Sequence, residues 1–290
     1  MAIDAAHAVR PAAVAGMFYP GTPAVLSAAV HAYLADAGNS PETHNPPPKA
    51  LLVPHAGYVY SGPVAGLAYR RLAVGRASIR RVVLLGPVHR VPVGGLALPA
   101  TRAFATPLGT VAVDADAVAQ ALELPQVQVS EAAHALEHSL EVQLPFLQTV
   151  LEEFKIVPFA VGDATAEEVA EVIDCLWGGP ETLIVISSDL SHYHPYAAAR
   201  QIDRGTAAAI LALDSALDHE QACGATPING FALCARGRGL NPELLDLRNS
   251  GDTAGDKSRV VGYAAFAFTD PARGRAQESA AELLEPTDAR

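Results

Sequence analysis

The sequence predicts an α/β fold: a three-layer sandwich built on a largely parallel or mixed central sheet. Three observations carry that expectation. Short apolar runs alternate with stretches of helical periodicity. The runs do not alternate apolar with polar residues, which marks strands covered on both faces. No internal repeat or linker interrupts them, so residues 1–270 read as one domain and 271–290 as a disordered, polar, Ala-rich tail.

The elements follow in order. The first ten residues read as a loose arm. Thr22 can cap a first helix and Pro23 suits its first position; Leu26, Val30 and Leu34 then recur at i+4, with Gly38 beyond. Residues 38–49 form a Pro-rich loop. Leu51–Val53, Val82–Leu85, Ile156–Val161 and Leu183–Ile186 are four apolar strands. Helical segments are expected over residues 63–73, 132–153 and 165–177. Leu96 to Val113 carries turn and strand signals and reads as an antiparallel excursion. Gly224 and Pro227 mark a constrained turn, with a helix over Gly230 to Arg236. Asn249 to Asp256 is a turn-rich Gly/Asp loop without the ligand order of a calcium loop or the Gly-Lys-Ser/Thr of a P-loop. Val260 to Phe268 closes the domain as a strand.

Composition narrows the function. The chain has 290 residues and a net charge of −11, with 50% hydrophobic and 18% charged residues. It is too apolar for intrinsic disorder. It lacks the basic footprint that nucleic-acid phosphates require, so no nucleic-acid partner is expected. No apolar stretch approaches the ~18 residues of a membrane span, and Met1-Ala2-Ile3-Asp4 does not open a signal peptide. Three cysteines, Cys175, Cys223 and Cys234, do not form a disulfide framework, which points to a cytoplasmic location.

The informative polar residues follow the strands. Leu51–Val53 runs into Pro54-His55-Ala56-Gly57-Tyr58, and Val82–Leu85 into Gly86-Pro87-Val88-His89. Leu183–Ile186 runs into Ser187-Ser188-Asp189-Leu190-Ser191-His192. Ligands of open α/β sheets bind outside the carboxyl ends of the strands. Parallel, neighbouring strands would therefore bring His55, His89 and His192 to one rim, with imidazoles suited to metal binding and to proton transfer. Taken singly, each His also fits a plain turn residue.

A second cluster, His134-Ala135-Leu136-Glu137-His138-Ser139-Leu140-Glu141, contains H-x-x-E-H. On a helix, His134 and His138 would share a face and could bridge zinc, with Glu141 on the same side. The alternative is an amphipathic helix burying Leu136, Leu140, Leu144 and Leu147. Cys223 at its turn is a metal ligand or a buried thiol. Cys175 and Cys234 sit in apolar, helix-like contexts.

Taken together, these motifs resemble the Memo family, whose bacterial members are called AmmeMemoRadiSam system protein B. The resemblance runs from Val9-Arg10-Pro11 and Gly16-Met17-Phe18-Tyr19-Pro20 to Val261-Gly262-Tyr263-Ala264-Ala265. Its most specific pieces are Pro54 to Tyr58, Ser61-Gly62, Gly86 to His89, Glu137 to Glu141, Ser187 to Asp189, His192, Cys223-Gly224 and Pro227-Ile228. The family is similar in fold to class III extradiol dioxygenases, non-haem iron enzymes whose iron is held by two His and a Glu. In Memo-like proteins a Cys stands at the third position.

The resemblance implies His55, His89 and Cys223 as metal ligands, and His192 with Asp189 as the catalytic pair. It implies Tyr58, Glu137, His138 and Glu141 as residues that support the ligands or contact substrate. The cofactor it implies is one redox metal ion, iron(II) or copper, with zinc possible. Thiolate in place of carboxylate makes the site softer and exposes a ligand to oxidation.

Three functions follow as expectations. The first is a metal-dependent redox protein with a dioxygenase-like site, acting on a small molecule or peptide. The second is an adaptor using the cleft for peptide or protein recognition, an expectation the resemblance suggests because eukaryotic Memo relatives are implicated in signalling and in binding phosphotyrosine-containing peptides. The third is a zinc hydrolase centred on His134 and His138. The family name also implies radical-SAM and AMMECR-type partners.

Overall fold

The computed structural model describes residues 8–36 and 47–271. Most of the expected arm, most of the Pro-rich loop and nearly all of the expected tail lie outside the described residues. The arm differs at its end. Val9–Arg10 forms β1, pairs in parallel with Ala103 and Phe104, and buries Arg10.

Helix α1 (Pro23–Asp36) buries Leu26 and Val30, as its spacing predicts. Strand β2 (Ala50–Val53) leads into α2 (Tyr58–Arg70). This helix starts five residues before the expected 63 and carries Pro63 inside it. Its first turn is closed by Tyr60 N–H and Ser61 N–H on Gly57 O. Gly66 lets α2 approach α1 closely, since a Cβ there would meet Tyr33 O at 2.4 Å.

Strand β3 (Arg81–Pro87) is followed by β4 (Leu96–Leu98) and the antiparallel pair β5 (Ala103–Thr106) and β6 (Gly109–Ala112). These last two make a three-stranded sheet with β1. Then come α3 (Ala115–Ala121), capped by Asp114 on Ala117 N–H, and β7 (Val127–Val129).

The expected helix over 132–153 is broken in two. A short α4 (Glu131–Ala135) and α5 (Leu144–Val150) flank residues 136–143, which end in a 3₁₀ turn. Partners distant in sequence replace the helical hydrogen bonds. Arg10 donates to His134 O and Glu137 O, both at 2.6 Å, while the Glu137 carboxylate takes the backbone N–H groups of His138 and Ser139.

Strand β8 (Lys155–Val161) precedes α6 (Ala166–Cys175), which opens with a Thr165–Glu168 capping box. Then follow β9 (Thr182–Ser187), β10 (His192–His194) and α7 (Tyr196–Leu211). Helix α8 (Ala225–Gly237) begins five residues before the expected Gly230. Strand β11 (Asn241–Asn249), α9 (Ser250–Thr253) and β12 (Val260–Thr269) complete the described chain. Helix α7 and strand β11 are not among the elements expected above. The expected Asn249–Asp256 loop contains α9, capped by the Asn249 side chain.

The large sheet runs β10-β12-β2-β9-β3-β8-β4-β7, with β11 also on β12. Strands β2, β9, β3 and β8 are parallel neighbours; β12 and β4 join them antiparallel, so the sheet is mixed. Alternate residues of the central strands enter two separate cores. Leu51, Val53, Val82, Leu84, Leu183 and Val185 pack on the face that also buries Leu26, Val64 and Phe146 of α1, α2 and α5. Leu52, Val83, Leu85, Ile184 and Ile186 pack with Val169, Ile210 and Phe231 of α6, α7 and α8. Apolar residues on both faces of one sheet, each covered by helices, make the three-layer sandwich.

Candidate metal centre

The order β2-β9-β3 places three parallel carboxyl ends side by side. His55 lies two residues beyond β2 and His89 two residues beyond β3. Asp189 follows β9, and His192 opens β10. His138 joins them from the broken segment between α4 and α5. One ligand nitrogen each of His55, His89 and His138 lies within 4.8 Å of the others, so the three could hold a metal ion. Their ring centroids are 4.6–5.5 Å apart.

Hydrogen bonds behind the rings present them as ligands. Ser187 Oγ donates to Ser139 O at 2.6 Å and accepts from Gln143 Nε2 at 2.8 Å. Its single proton is thereby spent, so the 3.0 Å contact with His55 Nδ1 requires Nδ1–H to donate. The lone pair of His55 is left on Nε2. Gln143 is fixed in turn, donating to Pro54 O at 3.0 Å and accepting from Tyr69 O–H at 2.9 Å.

Glu137 does the same for His89. Its Oε1 lies 2.9 Å from His89 Nδ1 and its Oε2 accepts His89 N–H at 2.7 Å. Because the carboxylate can only accept, Nδ1 carries the proton and Nε2 is free. Burial raises the Glu137 carboxyl, but His89, the Ser139 N–H and His138 outweigh it and hold it at about 2. Burial, with His89 and His138 beside it, pushes His55 well below its ordinary range. Burial likewise takes His138 down to about 4 against the opposing pull of Glu137, while Phe18 packs on its ring at 4.7 Å. His55 and His138 are therefore neutral at pH 7, the form that binds metal.

Cys223 stands beside this group, its Sγ 3.3 Å from His55 Nε2. Ligand bonds of ~2.0–2.3 Å put two donors of one small ion ~3–4 Å apart, so this sulfur and nitrogen are spaced to share one. Burial, then Asp189, pushes the thiol up to about 12, so it is protonated at neutral pH. Gly224, next along, donates its N–H to Ser188 Oγ at 2.9 Å and fixes the turn.

Asp189 lies behind the rim. Its Oδ1 accepts His55 N–H at 2.7 Å, and burial lifts its carboxyl to about 7 against that bond and the nearby His89. His192 is close enough to His55 and His89 for their charges to couple, and burial lowers it. Tyr58 and Glu141 point elsewhere. Tyr58 O–H donates to Val142 O at 2.7 Å. Glu141 pairs with Arg10 Nη1 at 2.7 Å and accepts from Ala13 N–H, Val14 N–H and Tyr19 O–H. Both therefore brace the wall.

His134 is not part of the group. Its Nε2 lies 2.9 Å from Ala97 O, and its ring meets Phe104 edge-on at 6.0 Å. With the helix broken at Leu136, the face shared by His134 and His138 does not form, and neither does the H-x-x-E-H zinc arrangement. Sequence reasoning missed Ser187, Gln143 and Arg10 as supports. Ser187 could have been found, since it ends a strand just before Asp189. Gln143 and Arg10 carry no local signal.

The donor set fits a transition metal: two imidazoles of fixed tautomer and His138 form the ligand group, while Cys223 is not one of its three members and its thiol lies beside His55 Nε2. Among the described residues, no helix is long and apolar enough to cross a membrane.

Comparison with known proteins agrees with this architecture. Residues 10–267 match the family model described as Memo-like protein. A MEMO1 family protein of Sulfolobus acidocaldarius is 37% identical over 290 residues, covering 90% of this chain and all of the relative. Relatives bearing the same family name in Methanopyrus kandleri and Aquifex aeolicus are 38% and 36% identical, covering 89% and 90% of this chain and 98% and 99% of their own lengths. With its motifs, its fold and nearly its whole length in agreement, the chain belongs to the Memo family.

Proposed function

We propose that the protein is a metal-dependent redox protein whose single ion, iron(II) or copper, is held by His55 and His89 with His138 and Cys223 completing the site. The observation that carries this reading is the pair of protonated Nδ1 atoms, on Ser187 and Glu137, which leaves the Nε2 lone pairs of two neighbouring imidazoles free, that of His55 beside a thiol. A bound redox ion would supply electron transfer to or from a substrate or oxygen. The chain's own residues do the rest. Ser187 and Glu137 orient the ligands. His192, neutral near pH 7, accepts or returns a proton at its imidazole. Asp189 holds the His55 backbone, and Cys223 gives up its proton on becoming a ligand.

The test is metal analysis with electron paramagnetic resonance on anaerobically prepared protein, wild type against Cys223→Ser. A thiolate-bound paramagnetic centre that changes or disappears in the variant supports the reading. A centre unchanged by the substitution removes Cys223 from the ligand set. Protein that takes up only zinc removes the redox function.

A further inference from the structure

The chain has 31 acidic residues against 20 Lys and Arg, yet one cleft gathers three of its arginines. Arg200 and Arg204 lie four residues apart on α7 and so share a face. Arg248 and Asn249, at the end of β11, line the open cleft with them. Leu247, Asp203 and Asp252 complete its lining. A fourth cation is close by. Lys257 Nζ lies 4.7 Å from the centre of the Tyr196 ring, and Arg200 packs on the same ring at 5.6 Å.

The acids of the cleft are bonded to the protein. Asp203 is buried and accepts Ser191 N–H at 3.0 Å. Asp252 accepts Tyr196 O–H on one oxygen and Asn249 N–H at 3.1 Å on the other. Arg248 pairs with Asp246 on its own strand at 2.7 Å. Arg200 and Arg204 are exposed and have no ion pair among the described residues. Two guanidinium groups thus keep donors for a ligand, in a recess that a third cation closes.

A planar guanidinium matches a pair of phosphate oxygens, and several at one cleft neutralise a dianion that a single surface arginine would not hold. We propose that the cleft between α7 and β11 is a phosphate-binding site formed by Arg200, Arg204 and Arg248, taking either free phosphate or a small phosphomonoester. It is distinct from the metal pocket but adjoins it, because Asp203 bonds Ser191, which lies between Asp189 and His192.

Calorimetric titration of the full chain with inorganic phosphate and with glycerol 3-phosphate, each against sodium chloride at matched ionic strength, tests this. Saturable binding to one site is expected, weakened at least about tenfold in Arg204→Ala and in Arg248→Ala. Tighter binding of the ester identifies a phosphomonoester as the ligand, and equal or tighter binding of phosphate identifies the free ion. Arg204 is exposed, so Arg204→Ala keeps the wild-type thermal midpoint and metal content. The absence of saturable heat with both probes overturns the proposal, as does undiminished affinity in the folded Arg204→Ala variant. Metal content is read on the same samples, so failure of this site is distinguishable from failure of the metal reading.

Discussion

The Nδ1 atom of His89 lies 2.9 Å from Glu137 Oε1, and that one carboxylate also takes the backbone N–H groups of His89, His138 and Ser139. Glu137 therefore fixes the tautomer of one imidazole and the backbone position of another. Glu137→Gln leaves a single acceptor atom for four donors. Its expected effect is a 10–100-fold loss of metal affinity with the fold retained, measured by competition with a chelator. Wild-type affinity in this variant would mean that the ligands need no such support.

Arg10 holds the other side of the same segment. It is fully buried and donates to His134 O, Glu137 O and Glu141. Arg10→Met leaves the Glu141 charge buried without its partner, which costs about 3–5 kcal/mol. Denaturant unfolding should show that loss, with weaker metal binding in the protein that remains folded. A loss below about 1 kcal/mol would show that the Ala13, Val14 and Tyr19 donors alone hold Glu141.

Acid should weaken the fold through His134. Burial lowers it from 6.5 to about 4, only partly opposed by its bond to Ala97 O. Below pH 6.5 the unfolded chain takes up a proton that the folded protein refuses. Stability from this group is full above pH 6.5 and is lost as pH falls through about 4, by about 3 kcal/mol. His134→Gln removes that proton. Its unfolding free energy should fall less steeply between those pH values, while its metal content stays at the wild-type level. Parallel pH profiles would contradict the assignment, and lost metal would revive the zinc arrangement at His134.

Metal binding should release a proton at Cys223. The thiol is pushed up to about 12, chiefly by burial and then by Asp189, so at pH 7–8 it must lose its proton to become a ligand. His55 is held well below its ordinary range and His138 at about 4, so neither contributes a proton in this interval. Affinity should rise with pH by close to one proton per ion, and this slope should flatten in Cys223→Ser. An equal slope in the variant would place the proton on another group.

The parts of the site read most directly from the sequence are those set by strands. Apolar runs leading into His55, His89 and His192 are what point to the rim, because a doubly covered parallel strand has a period and a polarity that survive without the rest of the fold. His138 was legible only as a supporting residue. Its placement beside His55 and His89 depends on a helix that breaks, and the break is made by Arg10, about 130 residues away in the chain. A periodicity argument reads Leu136, Leu140, Leu144 and Leu147 as one helical face and has no means of seeing that competitor. The start of α2 at Tyr58 and of α8 at Ala225 was hidden for a simpler reason. Pro63 reads locally as the first residue of a helix, and Gly224 and Pro227 as a constrained turn, whereas the structure places both prolines inside helices that start earlier.

The metal reading requires His55 and His89 to present free Nε2 atoms to one ion. Metal stoichiometry of the anaerobically reconstituted full chain tests it most directly, with wild type, His55→Ala and His89→Ala loaded with iron(II) and desalted. Close to one iron per chain is expected in wild type and almost none in either variant, each variant folded by circular dichroism. Stoichiometric iron retained in both folded variants would contradict it.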